Sequence, residues 1–151
     1  MTTTEIAKEI EEVFHAENGG ENPFELGCAR LYGVDVSKGK PTLSLIGEDE
    51  DVYDLISDEN SAIMAGSYEW ALVVTTGWAS PLNEQGEAEG RPSEHPLRRR
   101  VRLSCIASGK GVASVLRFAD EPNDQITDEG QAVGSLADAL QDFVVAGYRN
   151  N

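Results

Sequence analysis

Apolar residues recur along this chain with two different rhythms. Between Thr2 and Asn18, Ile6, Ile10, Val13 and Phe14 stand three or four apart, the spacing of one helical face. Thr2 with Glu5 three positions later fits a capping box, and Asn18-Gly19-Gly20 supplies the stop. This predicts an amphipathic helix with Glu5, Glu9 and Glu12 facing outward. Strand-like runs follow at Gly27–Val36 and Pro41–Ile46, separated by the turn residues Ser37-Lys38-Gly39-Lys40. Glu48-Asp49-Glu50-Asp51 then crowds the start of a second helix through Val52, Leu55 and Ile56, where acids complement the helix dipole.

From Tyr68 to Thr76, Trp70, Leu72 and Val74 alternate with Ala71 and Val73, which predicts a central strand covered on both faces. Ala79 to Leu97 is a polar stretch of 19 residues with three prolines and two glycines, a long loop of the kind that carries function or moves. Leu97–Ala107 and Gly111–Ala119 follow as a second hairpin. With Gly109-Lys110 as a two-residue loop, Leu103 faces Leu116, Val101 faces Phe118 and Arg102 faces Arg117. A last helix is expected over Asp128–Ala146, where Val133, Leu136, Ala137, Leu140, Phe143 and Val144 form a stripe ahead of Gly147.

The expected order is α-β-β-α-β-β-β-α, an α+β domain over residues 1–151. About five mostly antiparallel strands would be packed by three helices. That order is similar to the roadblock, longin and profilin-like architectures, a likeness of element order that fixes no activity.

Composition narrows the function classes. The 151 residues are 40% hydrophobic and 26% charged, with 27 acids against 12 Lys and Arg and a formal net charge of −15. Residues 1–60 carry −11, residues 61–117 carry +2 and residues 118–151 carry −6. Such a surface repels nucleic acid and anionic membranes, so direct binding to either is not expected. No apolar run approaches a membrane span, and Met1-Thr2-Thr3-Thr4-Glu5 does not look like a secretory signal; the expected location is cytoplasmic. Cys28 and Cys105 lie in apolar runs and are expected as buried, unreactive side chains.

The most unusual passage is Gly90 to Arg102, which holds five of the twelve basic residues: Arg91, Arg98, Arg99, Arg100 and Arg102. On a strand, Arg98, Arg100 and Arg102 share a face, and Arg102 opposed to Arg117 requires a negative group between them. The default source is internal, from Glu69 or the acidic helices. The alternative is an acidic partner, phosphate or carboxylate gripped by guanidinium forks. Trp78, at the end of its strand, is either core, like Trp70, or a binding anchor.

Ser93, Glu94 and His95 are adjacent, and adjacent loop residues do not converge as a catalytic triad. Ser-Glu-His-Pro reads more simply as a turn. His15 is expected near a helix end, where the dipole favours its charged form. Two cysteines and two histidines make no zinc site, the acidic runs lack the EF-hand pattern, and no phosphate loop is present. No catalytic residue, metal or cofactor is therefore expected.

The leading expectation is a non-enzymatic interaction, adaptor or regulatory domain, with self-association open. Its partner-binding candidates are Trp78, Arg91, His95, Arg98, Arg100, Arg102 and Arg117. One alternative is an acidic inhibitor that imitates nucleic acid and occupies a DNA- or RNA-binding protein. The other is a small enzyme using His95.

Overall fold

In the computed structural model the described residues are 2–18, 28–36, 39–79, 94, 96–97, 99–109, 111–120 and 125–127. The capping box forms as its spacing predicts: the Glu5 backbone N–H donates to Thr2 Oγ1 at 3.1 Å, and the Thr2 N–H donates to Glu5 Oε2 at 3.3 Å. It opens helix α1, Thr3–Asn18. Strands β1 (Ala29–Asp35) and β2 (Thr42–Asp49) then form an antiparallel hairpin, with Gly39 at its tip in the left-handed region (φ 81°).

The single second helix that the sequence predicts is two. Asp51 accepts the N–H groups of Tyr53 and Asp54 and starts α2, Val52–Leu55. Asp58 accepts the N–H of Ser61 at 2.9 Å and starts α3, Glu59–Ala65. Each carboxylate serves orphan donors of its own first turn, which breaks the run between them.

Strands β3 (Trp70–Ala79), β4 (Arg99–Ser108) and β5 (Gly111–Phe118) complete five long antiparallel strands, and the two-residue β6 (Ile126–Thr127) adds beside β5. Among the described residues the order across the sheet is β2-β1-β3-β4-β5-β6. The class is α+β, as the alternation of helical and strand rhythms predicts. The β4–β5 register also matches, with Leu103 opposite Leu116, Val101 opposite Phe118 and Arg102 opposite Arg117. The helix expected over Asp128–Ala146 lies outside the described residues.

The sheet is covered on both faces. On one, Ala7, Ile10 and Phe14 of α1 pack against Val34, Leu72, Val74, Ile106, Ala113 and Val115. On the other, Leu55, Ile56, Ala62 and Ala65 of the short helices pack against Leu31, Val73, Cys105 and Ala107. Burying each large aliphatic or aromatic side chain contributes about 1.5–3 kcal/mol, so α1 is held mainly by Ile10 and Phe14. Cys105 is buried as expected. Cys28 is only partly buried, because it stands before β1 rather than inside it.

Candidate functional site: a buried ion cluster beneath α1

Strand alternation sends Arg102 and Arg117 to the α1 face of neighbouring strands, directly opposite each other. Two guanidiniums so placed repel unless an anion lies between them. The anion is Glu11. It stands one helical turn after Ala7 and one before Phe14, on the buried stripe of α1, and is 1% exposed.

Arg102 Nη2 donates to Glu11 Oε2 at 2.9 Å. Arg117 Nε donates to both Glu11 oxygens at 3.1 and 3.0 Å, its Nη2 also reaches Oε1, and that Nη2 donates to Glu12 Oε1 at 2.8 Å. Gln125 Nε2 closes the outer side, donating to Glu11 Oε1 at 2.9 Å and to the Lys8 carbonyl at 3.0 Å. Arg102 also lies 5.0 Å above the Phe14 ring and 2.9 Å, through Nη2, from His15 Nδ1. Two carboxylates thus meet two guanidiniums, and the set is formally neutral when His15 is neutral.

Burial alone would push the Glu11 carboxyl up, but hydrogen bonds from Arg117, Gln125 and Arg102 outweigh it and hold it below its ordinary value. His15 moves down as well, first through burial and then through the charges of Arg117 and Arg102. The expectation that a helix end favours its charged form is therefore corrected: burial, with two nearby cations, outweighs the dipole. Arg102 and Arg117 are 1% and 2% exposed, so the partner-facing expectation is corrected for these two as well. Their counter-charge is internal, and it comes from α1. Glu69 precedes β3, at the other end of that strand from Thr76, which pairs with Arg102.

The remaining arginines divide by face. Arg100 is half-buried and its Nη2 donates to Thr76 Oγ1 at 3.3 Å. Arg99 points the other way and grips Asp120 with two bonds, Nε to Oδ2 at 2.9 Å and Nη2 to Oδ1 at 2.6 Å, with its guanidinium 4.0 Å above the Phe118 ring. Trp78 lies in β3 opposite Arg100 in the ladder. Arg91, His95 and Arg98 lie outside the described residues, as does the side chain of Trp78. Among the described residues the structure joins Arg102 to Arg117 and keeps Arg100 on the same face of β4, two positions before Arg102.

Sequence reasoning missed Glu11, Gln125 and the Arg99–Asp120 pair. For Glu11 a signal existed: Ala7, Ile10, Glu11 and Phe14 make one helical stripe once the small Ala7 is counted as apolar.

As chemistry the cluster is closed, because Glu11 fills the fork that an external anion would need. Among the described residues no group of three His, Cys, Asp or Glu side chains is placed to hold a metal ion. A cleft of about 370 Å³ between α1 and the β1–β2 turn is walled by Lys8, Glu9, Glu12 and Lys40, with Val13 and Pro41 in its lining. Among the described residues no helix is long and apolar enough to cross a membrane.

The most open part of the fold is the edge strand β2. Among the described residues it pairs only with β1, and none of its eight residues is fully buried. Leu45 at its centre is 53% exposed. No family model, curated protein or solved structure matches this chain.

Proposed function

We propose that this chain is a non-enzymatic protein-interaction domain that docks its partner along the β2 edge of the sheet. The observation behind this reading is that β2 is the edge strand of the sheet among the described residues, with no fully buried residue and with Leu45 exposed at its centre. An open strand edge offers backbone donors and acceptors to an incoming strand, and an apolar side chain on it adds contact area. The internal use of Arg102 and Arg117 supports the same reading, since the cations best suited to gripping a small anion are occupied by Glu11.

The test is site-specific photo-crosslinking in the native host from position 45, compared with position 9 on the outer side of α1. Partner adducts are expected from position 45 and not from position 9. Leu45→Asp should abolish capture without changing the melting temperature by more than a degree or two. Equal adducts from both positions, or undiminished capture by Leu45→Asp, would overturn the proposal.

A second reading is favoured by the exposed carboxylates of Glu48, Asp49, Glu50, Asp51, Asp54 and Asp58 beside that edge. In this reading they imitate the phosphates of nucleic acid and occupy a basic DNA- or RNA-binding protein. Such binding falls steeply as salt rises, and salt-indifferent capture would exclude it.

A further inference from the structure

We propose that the occupant of the β2 edge is a second copy of this chain, its β2 running antiparallel to the first about a two-fold axis beside Leu45. This rests on the reading of β2 as the docking edge. The argument is one of charge order. Lys40 stands just before the strand, while Glu48, Asp49, Glu50 and Asp51 crowd its far end, and Lys40 and Glu50 are both exposed. Lys40 and Glu50 are equidistant in sequence from Leu45. An antiparallel copy therefore carries Lys40 of each chain to the acidic end of the other, whereas a parallel copy would set acid against acid.

Leu45, at the centre, meets its twin and loses the exposure it has in one chain. The arrangement is isologous and closes on itself, so it gives a dimer and not a fibre. The same acids guard the edge: a strand without a cation in the matching place meets four carboxylates and is refused. The irregularity of the β1–β2 ladder lies in β2 itself, where Ile46 stands between Leu45, opposite Tyr32, and Gly47, opposite Leu31; the twist it adds disfavours indiscriminate flat pairing.

The test is sedimentation equilibrium at physiological salt, from micromolar to submillimolar chain. The wild type is expected to show a concentration-dependent dimer. Lys40→Glu and Glu50→Lys each place like charges at both symmetric contacts and should each weaken the dimer by about tenfold or more. An equimolar mixture of the two variants restores both contacts and should dimerise like the wild type, an outcome that loss of folding or general charge effects would not produce. A wild type that stays monomeric throughout, two variants that dimerise normally, or a mixture that fails to recover would each overturn the second-copy assignment. A monomeric wild type whose position 45 still crosslinks to another protein would sink this assignment while sparing the docking-edge reading. No adduct of any kind from position 45 would sink both.

Discussion

Glu11 shows how much one side chain decides here. It is the shared acceptor of two guanidiniums that face each other across a β ladder, and all three groups are nearly sealed from water. Glu11→Gln leaves two buried cations with half their compensation, and the expected loss is about 3–5 kcal/mol in urea unfolding. Replacing all three charges together, as Glu11→Leu with Arg102→Met and Arg117→Met, should be neutral or stabilising, because desolvation of the ions is then removed as well. A triple variant less stable than Glu11→Gln would contradict this account. The pH dependence has a definite sign. His15 and Glu11 both have folded-state values below their ordinary 6.5 and 4.5, so each favours the deprotonated form in the folded chain. Their contributions are complete above those ordinary values and are lost as pH falls through the lowered ones, the loss from His15 beginning below 6.5 and that from Glu11 below 4.5. Protonating His15 also turns the acceptor facing Arg102 into a third cation. His15→Gln, which keeps an acceptor but cannot charge, should therefore lose less stability than the wild type between pH 6.5 and pH 5. Parallel losses in the two proteins would remove His15 from the cluster's energetics. The need for an anion near Arg102 and Arg117 was legible from the hairpin register alone. Its identity was not, since Glu9, Glu11 and Glu12 differ only in which side of α1 they occupy, and the small Ala7 marks that side weakly.

Elements set by local chemistry were the readable part of the fold. The capping box at Thr2–Glu5, the turn around Gly39 and the two-residue loop between Ser108 and Gly111 all depend on neighbours within a few residues. Alternation likewise announced that Leu72 and Val73 point to opposite sides and are both buried. The split of the second helix was readable only by weighing Asp58 as a fresh cap against continued apolar spacing. Strand order was not readable, because the place of β1 between β2 and β3 depends on contacts far apart in the chain. One such contact yields a test. Tyr68, just ahead of β3, lays its ring on Gly33 of β1, and a Cβ added there would stand 2.1 Å from Tyr68 Cδ2. Gly33→Ala must displace the ring and should cost about 1–3 kcal/mol. In a Tyr68→Ala background the same substitution should cost a few tenths of a kcal/mol at most, so a double-mutant cycle should show strong coupling. Additive losses would mean that Gly33 serves some purpose other than seating this ring.

Charge is segregated along the whole chain, −11 over residues 1–60 and +2 over residues 61–117, and folding partly resolves it. The α1 carboxylates reach across 91 residues to Arg102 and 106 residues to Arg117, so the acidic first part neutralises the basic middle inside the molecule. Among the described residues, exposed carboxylates remain on the outer side of α1 and at the β2–α2 junction. Salt acts on these two populations differently. The buried cluster is screened little, while exposed like charges lose their mutual repulsion within a Debye length of about 10 Å at 0.1 M. Salt also weakens the exposed Arg99–Asp120 pair and the half-buried Arg30–Glu48 pair, but surface pairs of this kind are worth only about 0–1 kcal/mol each. With 27 acids against 12 Lys and Arg, relief of repulsion outweighs that loss. Adding sodium chloride to a low-salt buffer should therefore raise the melting temperature, by about 2–4 °C for each kcal/mol of repulsion relieved. Glu11→Gln should show the same slope from a lower start, because its defect lies where salt does not reach. A melting temperature that falls with salt would mean that the surface pairs, and not the net charge, govern stability outside the core.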